Sequence, residues 1–198
     1  MTRFCVLATL FAAVLAACSG DAAKFRGVDI TGFDQGGEIS LRGADGAKRA
    51  LADYRGKVVV LYFGYMNCPD VCPTTLAALR QAMLELGADA DRVQVLFVTV
   101  DPERDTPALL ERYAKSFDPR FAGLSGSLEE TTAVAKQFKI FFAKSPGKAP
   151  ETYNVDHSTQ AYLLDPAGRV RIFHKHDATP ADFAQDIRTL LAQARDPG

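Results

Sequence analysis

Residues 58–73 read VVVLYFGYMNCPDVCP and mark the passage from a strand to a helix. Residues 58–63 form a continuous apolar run rich in β-branched side chains, which is typical of a strand buried on both faces. Apolar residues at near-helical spacing follow over residues 73–87. Cys68 and Cys72 therefore precede or begin a helix, where the positive end of the helix dipole favours thiolates. The stretch predicts an exposed pair of reactive thiols at one end of a sheet.

Strand and helix patterns alternate along the rest of the chain. A second apolar run at 93–100 predicts another central strand. Thr-Pro pairs at 106–107 and 179–180 are typical of an N-cap followed by proline at the first helical position. A capping-box pattern at 127–130 predicts a further helix. One continuous α/β unit, without repeats or a dividing linker, accounts for this order.

The predicted fold is α/β, with a central sheet covered by helices on both faces. Turn signals at 43–46 and 165–168 predict two β-hairpins, of which the first is N-terminal to the sheet. A thioredoxin-like architecture places a Cys-x-x-Cys pair at such a strand–helix junction, and this chain has Cys-x-x-x-Cys instead. The stretch 143–158 contains Pro146 and Pro150, and we predict an irregular functional loop there.

The composition excludes several classes of protein. The chain has 198 residues, of which 47% are hydrophobic and 24% charged, as expected for a globular protein and not for a disordered one. Its 23 basic and 24 acidic residues leave a formal net charge of -1. We therefore expect no nucleic-acid partner, since such proteins carry a basic surplus.

The N-terminus has the features of an export signal. Arg3 precedes the uncharged apolar run 4–17, which is shorter than the roughly 20 residues that span a bilayer. The run ends in Leu-Ala-Ala-Cys18, which resembles the lipobox of bacterial lipoproteins, whose chain is cut before the cysteine and whose sulfur then carries lipid. An ordinary signal with an incidental cysteine is the alternative. The predicted organisation is a lipoprotein signal peptide (1–17), a tether (18–26) and one domain (27–198), exported and membrane-anchored on the periplasmic or extracytoplasmic side.

The spacing of the cysteine pair leaves three uses open. Helix positions i and i+4 stand roughly 5–6 Å apart at Cβ, whereas a disulfide needs about 3.5–4.5 Å. A redox or structural disulfide therefore requires Cys68 to lie in the loop before the helix. The wider spacing also suits a metal ion held between the sulfurs of Cys68 and Cys72. Soft thiolates select Cu(I), zinc or iron–sulfur clusters, and a cluster normally takes four cysteines.

A metal site would need a further ligand, and the candidates are His157, His174 and His176. His157 lies at the end of the irregular stretch, just before a predicted strand. In a thioredoxin-like fold the turn before that strand lies beside the cysteine pair, so an imidazole there can reach a metal held by the thiols. His174 and His176 lie near a strand end, and we predict that both are solvated.

Three separate motifs resemble the Sco/SenC family of copper-binding assembly proteins. They are Tyr-x-x-Cys-Pro-Asp-x-Cys-Pro around the cysteine pair, Asp-Pro-Glu-Arg-Asp-Thr-Pro at 101–107, and Asp-His-Ser at 156–158. The resemblance implies that Cys68, Cys72 and His157 bind one copper ion per chain, as Cu(I) or Cu(II). It implies a metallochaperone that helps to load the binuclear copper site of cytochrome c oxidase subunit II. Another copper carrier or a thiol reductant is a further possible partner.

The sequence allows two roles for each of several residues near these motifs, and it allows other functions. Asp101 and Asp105 either lie near the metal or a partner, or only shape the start of a helix. Asp156 either accepts a hydrogen bond from His157 or only forms a turn, and Met66 either lies near copper or packs. A thiol–disulfide oxidoreductase that reduces the target's cysteines is the alternative function. A peroxiredoxin-like peroxidase is disfavoured because the residues before the first cysteine lack that family's proline and threonine.

Overall fold

The computed structural model describes residues 24–32, 36–146 and 153–195. The predicted signal peptide, the lipidation site Cys18 and most of the tether lie outside these residues. Among the helices that the structure describes, none is long and apolar enough to cross a membrane.

The described part of the chain forms short and long strands together with α-helices. The strands are β1 (Val28–Asp29), β2 (Leu41–Arg42), β3 (Lys48–Arg49), β4 (Val58–Gly64), β5 (Val93–Thr99), β6 (Ala122–Leu124), β7 (Phe142–Pro146), β8 (Tyr153–His157), β9 (Ala161–Leu164) and β10 (Val170–His174). The α-helices are α1 (Val71–Leu86), α2 (Pro107–Phe117), α3 (Leu128–Gln137) and α4 (Pro180–Gln193).

A six-stranded mixed sheet has the order β1-β10-β9-β4-β5-β6. β4, β5 and β6 run parallel, whereas β9 lies antiparallel to β4 and pairs with β10 across the predicted second hairpin. Every residue of β4 is buried, as its uninterrupted apolar sequence predicted. The central position of β4 places its C-terminal end, and the loop that follows, at one pole of the sheet.

Helices cover both faces of the sheet, which confirms the predicted fold class. Residues 58, 60 and 62 of β4 pack towards α1, α2 and α4. Residues 59, 61 and 63 pack towards α3 and the N-terminal hairpin β2–β3. The alternation follows from the two-residue period of a strand. Capping boxes open α3 at Ser127 and α4 at Thr179, as the sequence predicted.

The stretch 143–158 differs from the prediction of an irregular loop. β7 and β8 form a two-stranded antiparallel hairpin in which Phe142 pairs with His157. Residues 153, 155 and 157 of β8 are buried or half-buried, while Asn154 and Asp156 are exposed. This alternation is a strand signal that the prolines of the segment concealed. His157 is therefore the last residue of β8, and three residues, 158–160, connect it to β9.

Candidate metal centre

The cysteine pair lies in the loop between β4 and α1 and in the first turn of α1. The helix begins at Val71, two residues earlier than predicted, so Cys72 is helical and Cys68 lies in the preceding loop. The backbone N–H of Cys68 donates to the carbonyl of Tyr65 at 3.2 Å, which folds the loop tightly over the end of β4. At Gly64 a β-carbon would stand 2.6 Å from Sγ of Cys72. Because Gly64 has no side chain, Sγ of Cys72 can occupy this position.

Three donor atoms converge at this pole. Sγ of Cys72 lies 3.5 Å from Nε2 of His157, and the backbone N–H of Cys72 donates to Sγ of Cys68 at 3.4 Å. The two sulfurs and one imidazole nitrogen all lie within 4.8 Å of one another. Cys72 is buried, whereas Cys68 and His157 are half-buried, so the group is open to solvent on one side.

The imidazole of His157 is held by a backbone carbonyl and an aromatic ring. Nδ1 lies 2.8 Å from the carbonyl oxygen of Ser158. Because a carbonyl oxygen only accepts, Nδ1 is the donor in this contact, and the ring orientation that results turns Nε2 towards the sulfurs. The Tyr65 ring meets the imidazole edge-on at 5.8 Å between centroids. Of the two roles left open for Asp156, the structure supports neither, because the residue lies within β8 and is exposed on the face opposite to His157.

The two thiols have opposite acidities. Hydrogen bonding from Cys72 is the main cause that lowers the pKa of Cys68 to about 3, with help from His157 and from the backbone at the start of α1. The pKa of Cys72 is raised because its thiol donates to Cys68 and because it is buried. At neutral pH the pair therefore holds one thiolate, on the more exposed sulfur, next to one protonated thiol.

Asp101 and Asp105 are not members of this group of donors. They accept hydrogen bonds from the two segments that carry the donors. Oδ2 of Asp105 accepts the Met66 N–H at 3.0 Å and the Thr99 hydroxyl at 2.7 Å. Burial raises the pKa of the Asp105 carboxyl. Asp101 is also buried, and its Oδ1 accepts the Tyr153 hydroxyl at 2.8 Å. The structure thus connects one of these carboxylates to the cysteine loop and the other to the hairpin that carries the histidine.

Comparison with known proteins agrees with this arrangement. The SCO1/SenC family model matches residues 29–192. The chain belongs to the SCO1/SenC family. It is 38% identical over 161 residues to the mitochondrial protein SCO2 homolog of Bos taurus, covering 80% of this chain and 60% of that protein. The chain spans about three fifths of the length of such curated relatives.

Solved structures of other family members share the fold. Copper-bound ScoI of Bradyrhizobium japonicum matches with a TM-score of 0.72 and 38% identity, covering 79% of this chain and 99% of that one. BsSco, described with a disulfide switch and as a member of the Sco family of cytochrome c oxidase assembly proteins, matches with a TM-score of 0.62 and 26% identity, covering 79% and 93%. The predicted family and thioredoxin-like fold are therefore confirmed for this SCO1/SenC chain.

The prediction that His174 is solvated is wrong. His174 is only 3% exposed, its ring lies 4.5 Å from that of Phe183, and its Nε2 lies 2.9 Å from Oδ2 of Asp186. Asp186 also accepts the backbone N–H groups of Arg26 and Gly27, both at 2.8 Å. In this SCO1/SenC member His174 is thus a structural residue beneath α4. His176 is exposed, as predicted.

Two further observations concern residues around the site. The Met66 side chain is half-buried and packs against the core between β4 and α1. No role was predicted for Arg104. Its guanidinium lies 3.7 Å from the centre of the Tyr153 ring, and it forms an ion pair with Asp101. The signal that could have singled it out is that it is the one basic residue among the three acidic residues of the 101–107 motif.

Proposed function

We propose that this chain binds one copper ion through Sγ of Cys68, Sγ of Cys72 and Nε2 of His157. The observation that carries the proposal is the convergence of these three atoms within 4.8 Å at the open pole of the sheet. A metal ion requires deprotonated sulfurs and an imidazole nitrogen without a proton. The lowered pKa of Cys68 favours one thiolate, Nε2 of His157 faces the sulfurs, and the buried thiol of Cys72 must lose its proton on binding.

The donor set favours copper over other metals. Thiolates select soft ions such as Cu(I), and imidazole also suits copper. Structural zinc normally takes four protein ligands, and an iron–sulfur cluster takes four cysteines. Asp101 and Asp105 are buried carboxylates, and both oxygens of Asp101 are engaged by Tyr153 and Arg104, while Oδ2 of Asp105 accepts from Met66 and Thr99. A copper-bound relative at 38% identity supports the same choice, for Cu(I) or Cu(II).

Copper is cargo in this proposal, and the chain is a metallochaperone. Family membership supports delivery of the ion to the binuclear copper site of cytochrome c oxidase subunit II. The half-exposed Cys68 and His157 give a recipient protein direct access to two of the three ligands. Another copper carrier could load the site, and a thiol reductant would keep both sulfurs free. No catalytic residue is needed for this function.

The N-terminal sequence supports a proposal for the cellular site. An export signal at 1–17, lipid on Cys18 and a tether at 18–26 would hold domain 27–198 at a membrane on its periplasmic or extracytoplasmic side. Two features support this proposal: the apolar run is too short to span, and a cysteine stands at its end.

A specific observation also favours thiol–disulfide exchange as a second function. One sulfur is acidic and half-exposed while the other is buried and protonated, which is the division between an attacking and a resolving thiol. The same pair could reduce a disulfide in the target before copper is delivered. In that reaction the Cys68 thiolate attacks the target disulfide and breaks its S–S bond, and Cys72 then displaces the second target sulfur to form the Cys68–Cys72 disulfide. Two electrons pass to the target, which takes one proton from Cys72 and one from solvent to give two thiols.

Substitution of the histidine separates the two functions. We expect His157→Ala to weaken Cu(I) binding by the reduced full-length chain by about 100-fold or more, since loss of a ligand exceeds the 10–100-fold cost of losing an outer partner. Exchange with a small disulfide should continue, because both sulfurs remain. His176→Ala is the matched control and should behave as the parent does, since His176 is exposed. Parental copper affinity in His157→Ala would overturn the three-ligand site and leave exchange as the better-supported function.

A further inference from the structure

One loop contacts both halves of the candidate site. It runs from Asp101 to Asp105, between the end of β5 and the start of α2. The cysteine half of the site belongs to the β4–α1 junction, and the histidine half belongs to the β7–β8 hairpin. These two halves are distant in sequence, and the contact between Cys72 and His157 joins residues 85 positions apart.

The loop holds the cysteine half through a backbone hydrogen bond. Asp105 accepts the N–H of Met66, two residues before Cys68, and is itself fixed by the Thr99 hydroxyl. Asp105 is 2% exposed, so its hydrogen bonds are shielded from water. These hydrogen bonds fix the position of the cysteine loop relative to the end of β5.

The loop holds the histidine half through Arg104. Its Nη1 donates to the carbonyl of Tyr153 at 3.0 Å, and its guanidinium lies 3.7 Å over the centre of the Tyr153 ring. Nε pairs with Asp101, whose other oxygen accepts the Tyr153 hydroxyl at 2.8 Å. Asp101, Arg104 and Tyr153 therefore form a closed ring of contacts at the first residue of β8. We call these three residues the clamp.

Arg104 also reaches the cysteine half of the site. Its guanidinium lies 5.8 Å from the centre of the Tyr65 ring, and that ring in turn contacts the imidazole of His157. A planar guanidinium can lie on aromatic rings and donate in a fixed fork at the same time, which an ammonium group cannot do. Arg104 thus stands between the tyrosine that follows β4 and the tyrosine that opens β8.

The hairpin needs such a support because it is a sheet of only two strands. Among the described strands, β7 and β8 pair with each other and not with the central sheet. A two-stranded hairpin is at best marginally stable alone, so side-chain contacts must set where its end lies. The exposed pair Lys144–Glu103, at 2.7 Å, adds little because it is solvated. The clamp is a part-buried, charge-assisted connection that is built on the buried carboxylate of Asp101.

We propose that Arg104 is a positioning residue for the metal centre, which sets the distance between the His157 imidazole and the two sulfurs. The inference rests on the proposed function only in that the three donors bind copper together. The contacts of Arg104 with Tyr153 and Tyr65 both lead to His157, so we expect its effect on copper to pass through the imidazole.

Hydrogen exchange on the metal-free, reduced full-length chain tests the clamp without copper. Arg104→Gln should speed exchange of the β7–β8 amides by about tenfold, the change expected when one charge-assisted hydrogen bond is lost. Amides of β4 and β5 should exchange as in the parent. Arg112→Gln, an exposed arginine on α2, is the matched control and should leave the hairpin unchanged. Parental exchange in the hairpin of Arg104→Gln would overturn the proposal.

A double-mutant cycle tests the route through His157. Arg104→Gln should weaken Cu(I) binding by about tenfold and alter the absorption of the Cu(II) form, but it should weaken binding no further when His157→Ala is already present. A further tenfold loss in that background would overturn the proposal, because Arg104 would then act on the cysteines or on the whole fold. If His157→Ala binds copper as the parent does, the proposed function fails, and hydrogen exchange still decides whether the clamp exists.

Discussion

Gly64→Ala places a single methyl group against the buried sulfur of the site. Gly64 does not have a left-handed φ, so its backbone accepts alanine without strain. The added carbon would stand 2.6 Å from Sγ of Cys72 and 2.7 Å from Cε2 of Phe97. Ordinary contact begins at 3.4 Å, so the sulfur must move away by about 0.8 Å and the ring by about 0.7 Å. The clash is therefore local to the metal centre.

We expect two measurable effects of this substitution. Overpacking typically costs about 1–3 kcal/mol, so urea unfolding should show a loss of that size in the free energy of unfolding. A shift of 0.8 Å also exceeds the roughly 0.5 Å within which a preorganised site must be held. Cu(I) affinity, measured on the reduced chain against a competing chelator, should fall by about tenfold or more.

A matched variant separates displacement of the sulfur from general destabilisation. Gly56 has a φ of 85° and has no atom within 4 Å of the position of an added β-carbon. Gly56→Ala should therefore cost about 1–2 kcal/mol through its backbone alone and leave copper affinity unchanged. If folded Gly64→Ala binds copper as the parent does, or if Gly56→Ala loses affinity equally, the argument that Gly64 sets the position of Cys72 is refuted.

Three further outcomes are expected. Cys18→Ser should leave a folded chain that no longer sediments with membranes after a high-salt wash; continued sedimentation would contradict lipid attachment. A Cys68–Cys72 disulfide should weaken Cu(I) binding by more than about 100-fold, reversibly on reduction, and equal affinities would mean that the sulfurs are not ligands. Asp118→Asn should lower the free energy of unfolding by about 1–2 kcal/mol at pH 7, because Asp118 accepts three hydrogen bonds from Arg120. Those bonds lower the pKa of Asp118 below its usual 3.8, so its stabilisation is present above pH 3.8 and is lost as pH falls through the folded-state pKa. The gap between parent and variant in urea titrations should therefore shrink at acid pH, and a constant gap would assign the effect to something other than ionisation.

The cysteine half of the site was accessible to prediction because it is local. A buried strand, a short loop and a helix N-terminus follow one another within 16 residues of sequence, 58–73, and each has its own pattern. The structure brings Cys68 and Cys72 together at that junction, with the first in the loop and the second in the helix. His157 was accessible only through the family resemblance and the expected course of a thioredoxin-like chain.

The wrong predictions share a cause, which is that they depended on packing between distant elements. The stretch 143–158 contains two strands, and once β8 is known, strand alternation turns Asp156 away from His157. The burial of His174 depends on α4, which lies over the end of β10. A signal did exist in α4: Asp186 interrupts the apolar face that Phe183 and its neighbours form, and a buried carboxylate needs a partner.

The sequence by itself determined the order of strands and helices, the caps of the helices and the place of two thiols at a strand–helix junction. These features follow from periodicities and contacts within a few residues. Only the tertiary structure decided that Nε2 of His157 faces the sulfurs, that Nδ1 is held by the Ser158 carbonyl, and that Arg104 connects the two halves of the site. The physical reason is that such distances result from how a two-stranded hairpin packs against a central sheet, and no local pattern in the chain encodes that packing.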